Sequence, residues 1–353
     1  MKKRLLSSLM LLFAIALTAI ASEPQGYYTS AYNLSNDSLR QALYNIIKDH
    51  TVVSYANLYN VYQTSDVLNG EIWDIYSTCS FSPGTADRCG NYVTVCDCYN
   101  REHTVPQSWF NSAAPMNSDA FHIYPTDGKV NGQRSNYPYG ECANGTSLGS
   151  HALGRLGTST FTGYTSVGTV FEPDDEYKGD LARTYFYMAT RYANICSSWG
   201  HNVFSTAHNG LSDYSVALLM KWHREDPVSQ KEIDRNEAIY AHQHNRNPFI
   251  DYPELAEHIW GNKTTVNWDP TATGNIVVED VVNITISPIP ATNEVVFSEP
   301  VDYTIYAIDG TNVLQGENTS NANVATLPEG FYIIRLTTTQ SNKECQQKLI
   351  IKR

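Results

Sequence analysis

Apolar residues recur at helical spacing after Ser35-Asn36-Asp37-Ser38, with Leu39, Leu43, Ile46 and Ile47 on one face. Ser and Asp side chains satisfy the free amides of a first turn, so a helix is expected to start there. A second short helix is expected over 56–63. The stretch 71–100 mixes aromatic residues with Gly and Pro and reads as short strands and loops. Residues 103–175 are rich in Gly, Ser, Asn and Pro and read as an irregular region, where catalytic side chains are commonly held. Helical spacing returns over 180–194, aligning Leu181, Tyr185, Met188 and Tyr192, and over 213–224, opened by Asp213. Ser229-Gln230-Lys231-Glu232 has the form of a capping box opening a helix toward His242. A last helix is expected over 253–260, stopped by Gly261.

The pattern then changes. Residues 263–280 are rich in Thr, Asn and Gly, with Pro270, and read as a linker. From Val281 the pattern switches to alternation, as in Val282/Ile284/Ile286, Tyr303/Ile305/Tyr306 and Tyr332/Ile333/Ile334/Leu336. Turns stand at Asp309-Gly310 and Pro328-Glu329-Gly330. A small all-β sandwich over 281–353 is expected. At the other end, Met1-Lys2-Lys3-Arg4 precedes an apolar run and Ala19-Ile20-Ala21. The run is shorter than the roughly 20 residues of a membrane span and ends in small residues, so 1–22 reads as a cleaved export signal. No later stretch is apolar enough to cross a membrane. A main domain over 23–262 lies between signal and linker.

Charge narrows the possibilities. The chain carries 24 Lys plus Arg against 36 Asp plus Glu, a formal net charge of -12. A free-standing nucleic-acid-binding module is usually basic. Any nucleic-acid site here must be a local basic cleft on an acidic body, which favours turnover over storage binding. With 24 Tyr and 11 Phe the chain is also not a disordered one. Four of its seven cysteines, Cys79, Cys89, Cys96 and Cys98, crowd together. Disulfides stapling a loop are the favoured reading in an exported chain, and zinc is the alternative, although there is no C-x-x-C pair with a second pair at finger spacing.

The densest chemistry lies just beyond. Glu102 offers oxygen to a hard cation, and its neighbour His103 can accept a proton near neutral pH. An ideal strand would turn the two to opposite faces, so the pair requires a strand end or bend, which Pro106 favours. Asn131 offers a carbonyl oxygen to the same cation, and Arg134 a planar cation to phosphate. Asp119 and His122 either orient the first histidine or build a turn.

These residues sit in a series: Cys96-Asp97-Cys98-Tyr99-Asn100-Arg101-Glu102-His103-Thr104-Val105-Pro106-Gln107-Ser108-Trp109-Phe110, then Asp119-Ala120-Phe121-His122-Ile123-Tyr124-Pro125, then Val130-Asn131-Gly132-Gln133-Arg134-Ser135-Asn136. The series resembles the endonuclease I family of secreted bacterial nucleases. Further matching stretches are Lys178–Met188, Arg235-Asn236-Glu237 and Gln243–Asp251, so the likeness runs over roughly 36–262. Where the family motif has Gly after Gln243, this chain has His244. The tail, with Ser287-Pro288-Ile289-Pro290-Ala291, Gly330-Phe331-Tyr332 and Lys348–Arg353, resembles the C-terminal sorting domain of type IX secretion.

The resemblance implies an α+β fold, with a ββα-metal (His-Me finger) nuclease core inside a mainly helical domain, followed by the sandwich. It implies His103 as general base and Glu102 and Asn131 as ligands of Mg²⁺, with Mn²⁺ able to substitute. It sets Arg134 and the Arg246 region near phosphate or in the fold's closing loop, and Arg134 is taken as catalytic. The implied reaction is hydrolysis of DNA, and also RNA, with little sequence preference and 5′-phosphate products. The implied partners are the nucleic acid and the secretion machinery, and the protein is expected to be a secreted or cell-surface monomer. A free imidazole titrates near ~6.5, so activity is expected to fall through that range. Two other readings remain: an extracellular phosphodiesterase for other nucleotides, and a catalytically weak nucleic-acid-binding protein.

Overall fold

The computed structural model describes residues 23–270, 284–288, 290–307, 311–338 and 344–352. The expected signal over 1–22, the later part of the expected linker, Val282 and the Asp309-Gly310 turn lie outside these residues. The chain divides into one unit ending at Asp269 and another beginning at Pro270.

The first unit carries the helices α1 (Asn36–Ile47), α2 (Leu58–Ser65), α3 (Gly128–Arg134), α4 (Lys178–Arg191), α5 (Asp213–Glu225), α6 (Gln230–Gln243), α7 (Pro248–Asp251) and α8 (Leu255–Ile259). Its centre is α4, which is buried at every residue from Gly179 to Arg191. A helix enclosed on all sides must have its charges paired. Arg183 accordingly donates to Glu232 of α6 at 2.8 Å and to Asp180 at 3.3 Å. Helix α1 turns Leu39, Leu43 and Ile47 inward, the stripe its spacing predicts. Helix α6 opens with the capping box: Ser229 Oγ accepts from the Glu232 amide, and Glu232 accepts from the Ser229 amide.

Two expectations shift. The helix expected over 253–260 is the shorter α8, and a separate turn, α7, precedes it, ended where Pro253 holds Tyr252 out of helical geometry. The residue closing α6, His244, has φ 60° and ψ 20°, the left-handed conformation in which glycine is usual. Its ring takes up a hydrogen bond with Thr51 Oγ1 at 2.9 Å.

Residues 103–175 are more ordered than their composition suggests. They hold the strand Ile123–Asp127, helix α3, and a three-stranded antiparallel sheet of Thr146–Ser147, Arg155–Thr158 and Thr169–Glu172. At the end of that sheet Glu172 accepts from Arg155 at 3.0 Å, Lys178 at 2.9 Å and the Cys142 amide at 2.7 Å.

The first part of the expected linker is folded. The Trp268 amide donates to Leu34 O and its carbonyl accepts from Asn33, both at 2.7 Å. Its ring meets Tyr28, Tyr32 and Tyr252 edge-on, and only 1% of the residue is exposed. One tryptophan in a Thr-rich and Asn-rich stretch therefore extends the first unit past 262.

The second unit is all β. The strand Glu294–Ala307 is flanked by Asn312–Asn323 and Gly330–Thr338, with Glu344–Ile351 beyond the latter. Val295, Phe297, Val301 and Ile305 enter a core of its own. Among the described residues the strands form one hydrogen-bonded sheet, where a sandwich predicts two. The long central strand pairs Ile286–Ser287 near its start and Gly330–Thr338 further on. Its register shifts between Val296 and Val301, where Pro300 cannot donate.

Candidate active site

Strand Tyr99–His103 pairs antiparallel with Ile123–Asp127, and the chain passes directly from Asp127 into α3. Asp127 starts that helix. Its Oδ1 accepts the Lys129 and Val130 amides at 2.8 and 2.9 Å. Its Oδ2 accepts the Cys96 amide at 2.7 Å, and its own amide donates to Asp74 at 2.9 Å. The loop bearing Cys96 is tied by the disulfides Cys79–Cys96 and Cys89–Cys98. The four crowded cysteines are thus paired, not gathered on zinc, and the loop they staple braces the start of α3. Cys142 and Cys196 are free and buried.

Glu102 and His103 are the last two residues of their strand. The strand end lets neighbouring side chains diverge while both still line one cleft of about 600 Å³, together with Tyr55, Asn100, Arg101 and Asn131. Glu102 is 2% exposed. Its Oε1 accepts from Tyr76 Oη at 2.8 Å and meets Arg134 Nη1 at 2.9 Å. Tyr76 in turn sits 2.5 Å from the Tyr139 hydroxyl. Burial pushes the Glu102 carboxyl up to about 7, against the pull of Arg134 and Tyr76.

His103 is fixed by its far nitrogen, with Nε2 3.2 Å from the carbonyl oxygen of Asn117. A carbonyl can only accept, so Nε2 carries the proton and Nδ1 of the neutral ring keeps its lone pair. The ring packs on Tyr55, 5.7 Å between centroids and 25° from parallel, with His122 on another side at 5.6 Å. Burial, then the nearby His122, drives its pKa down to about 3, although the Asn117 carbonyl opposes this. The ring is therefore neutral through the range near 6.5 in which a free imidazole titrates, which differs from the sequence expectation.

Asn131, on α3, gives its amide nitrogen to Asn100 Oδ1 at 2.7 Å. Its own Oδ1 has no protein partner among the described residues. Arg134, one turn further on, departs from expectation. Its guanidinium is wholly buried and donates to the carbonyls of His103 at 3.0 Å and Thr104 at 2.7 Å, besides meeting Glu102. Committed in this way, it does not reach out to phosphate. Arg246 lies elsewhere, in ion pairs with Asp251 and Glu237 at the closing loop.

Asp119 and His122 build the turn. Asp119 accepts from Tyr187, Tyr192 and Gln243, and His122 Nε2 sits 2.6 Å from Met116 O. Neither hydrogen-bonds His103. The structure adds Tyr76, Tyr139, Asn100 and the Asn117 carbonyl to the site. Asn100 stands inside the motif. The others carry no sequence signal, because they reach the site only through the tertiary fold.

Comparisons with known proteins show the family of each unit. The family model of endonuclease I matches residues 35–254, and that of the secretion system C-terminal sorting domain matches 278–352. An extracellular ribonuclease of Bacillus amyloliquefaciens is 35% identical over 245 residues, 68% of this chain and 80% of the relative. An extracellular ribonuclease of Bacillus subtilis (strain 168) is 33% identical over 258 residues, 71% and 83% of the two chains. An extracellular deoxyribonuclease of Aeromonas hydrophila is 25% identical over 233 residues, 60% and 87% of the two. The protein is a nuclease, a hydrolase that acts on nucleic acids. It belongs to the endonuclease I family, whose members depend on metal. Its sorting domain marks it as secreted or held at the cell surface. Among the described residues no helix is long and apolar enough to cross a membrane.

Proposed function

We propose that this nuclease hydrolyses phosphodiester bonds of both DNA and RNA at a ββα-metal site, with His103 as general base and one Mg²⁺ held by Glu102 and Asn131. The observation that carries the reading is the contact of His103 Nε2 with Asn117 O, which leaves Nδ1 as the proton acceptor in a cleft shared with two oxygen donors. The succession of strand, strand and helix that presents these three side chains supports the ββα-metal assignment.

The donor set fits a hydrated hard cation. Glu102 has its protein contacts on Oε1, so Oε2 is open to a ligand, and Asn131 contributes Oδ1. Two oxygens with one formal charge suit Mg²⁺ or Mn²⁺. Among the described residues no three His, Cys, Asp or Glu side chains gather as a tighter metal site would require. Burial holds the Glu102 carboxyl up near 7 even with Arg134 beside it, and a cation on Oε2 would favour its charged form. When bound, Mg²⁺ supplies electrostatic stabilisation of the charge that builds on the phosphate and leaving oxygens.

The remaining steps belong to the chain. His103 Nδ1 takes a proton from a water, whose oxygen bonds to phosphorus as the bond to the 3′ oxygen breaks. The leaving 3′ oxygen takes a proton from solvent water, so products carry 5′-phosphate and 3′-hydroxyl. Arg134 and Tyr76 hold the Glu102 carboxylate, and Asn100 orients Asn131. Because water is the nucleophile, the 2′-hydroxyl is dispensable, and one site serves both sugars. Relatives named as ribonucleases and as a deoxyribonuclease support this breadth. The test incubates the protein with plasmid and with a single-stranded RNA, in Mg²⁺ and in EDTA, and analyses the ends. Cutting of both in Mg²⁺ alone, with 5′-phosphate ends, is expected. A 2′,3′-cyclic phosphate on RNA, or cutting in EDTA, would overturn it.

A further inference from the structure

The His103 ring begins a row of alternating partners. It stacks on Tyr55, and the guanidinium of Arg101 lies 3.7 Å from the centre of the Tyr55 ring. Arg101 is also 4.5 Å from the centre of Tyr59, and Arg88 is 4.5 Å from that same ring. All four of these side chains are at least partly exposed.

Most described arginines of this unit are paired with acid, and the exceptions are Arg88, Arg101 and the buried Arg191, which hydrogen-bonds His50 and lies over Tyr192. Arg134, Arg183, Arg235 and Arg246 each meet a carboxylate. Among the described residues, Arg88 and Arg101 form no such ion pair. Each instead donates to a backbone carbonyl, Arg101 to Tyr55 at 2.8 Å and Arg88 to Tyr59 at 3.4 Å, and Arg88 also lies against the Tyr99 hydroxyl. The Nε of each is buried with no partner. In a chain of net charge -12 carboxylates are abundant, yet these two partly exposed cations stand beside the cleft without one, and their charge is available to an anion that enters it. Of the two arginines lining the cleft, Arg134 is committed to Glu102, and Arg101 brings the free positive charge.

Stacking on an aromatic face holds a guanidinium flat by cation–π attraction and leaves its N–H edge for a planar pair of oxygens. We propose that Arg101 and Arg88, set on Tyr55 and Tyr59, form a subsite for backbone phosphates next to the bond being cut. The chemistry of its ligand rests on the nuclease reading above. The subsite holds the strand, and the His103 centre cuts it.

The test reads binding apart from catalysis. A labelled single-stranded DNA of about 20 nucleotides is titrated with the full chain in EDTA, by fluorescence anisotropy, across a salt series. Arg101→Gln and Arg88→Gln are each expected to weaken binding about fivefold to tenfold. Each should lower the log–log salt slope by about 0.7, the value for one phosphate contact on a single strand. Arg→Lys at either position should restore the slope. Circular dichroism checks folding, and Arg88, on a loop, keeps the test available if Arg101→Gln does not fold. Wild-type affinity and slope in both Gln variants, or weaker binding with an unchanged slope, would overturn the subsite. Loss of cutting in His103→Ala with these slopes unaltered separates the catalytic reading from this one.

Discussion

Arg134 Nη1 lies 2.9 Å from Glu102 Oε1, and neither side chain is more than 2% exposed. Removing one partner of such a pair leaves the other charge buried, at a cost of about 3–5 kcal/mol. Arg134→Ala is therefore expected to lower stability by an amount of that order in urea unfolding, with a raised Mg²⁺ requirement in whatever folds. If Arg134 were instead a phosphate contact, the variant would keep wild-type stability and lose DNA affinity.

His103→Ala removes the only proton acceptor proposed here. General-base contributions are typically ~10²–10⁴-fold, so cutting of plasmid should fall by that range. DNA affinity in EDTA should change by less than about threefold, below the tenfold that ~1.4 kcal/mol represents. A variant cutting at half the wild-type rate would take the role away from His103.

Glu102→Gln and Asn131→Ala each weaken a two-oxygen metal site. Half-saturating Mg²⁺ is expected to rise about tenfold or more, the equivalent of ~1.4 kcal/mol. Activity against metal concentration gives the measurement. Stoichiometric zinc that survives EDTA and is needed for cutting would contradict the donor assignment.

Glu172 sets an acid limit on folding. Burial raises its carboxyl, but Arg155, the Cys142 amide and Lys178 outweigh burial and bring it down to about 2. The unfolded chain binds this proton near ~4.3. Stability from Glu172 is thus complete above that value and is lost as pH falls toward 2, an effect on the order of 2 kcal/mol. Glu172→Gln should be less stable at pH 7 and flatter across this window. Parallel loss of stability in wild type and variant between pH 4.5 and 2 would show that another group is responsible.

The parts of the fold legible in the sequence are those set by local rules. The Ser229–Glu232 capping box and the Leu39–Leu43–Ile47 stripe give α6 and α1 nearly as expected, since caps and periodicity act within a few residues. Helix α3 escapes such a reading, because seven residues are too few to show a period and Asp127 alone starts it. In the site, Glu102, His103 and Asn131 were visible as chemistry. The inward turn of Arg134 was not, because its partners Glu102 and Tyr139 meet it only through the fold. The depressed pKa of His103 likewise comes from burial, which a motif does not reveal.

Trp268 closes against Tyr28 and Tyr32, so the stretch that leads out of the nuclease unit is clasped to the stretch that leads in. The backbone of this unit is, in effect, a ring joined by aromatic contacts. Such a path does not depend on where the chain is opened. A permuted gene that joins residue 269 to residue 23 through a short peptide, and begins instead at the exposed turn Thr162-Gly163, should yield the same fold and the same cleft.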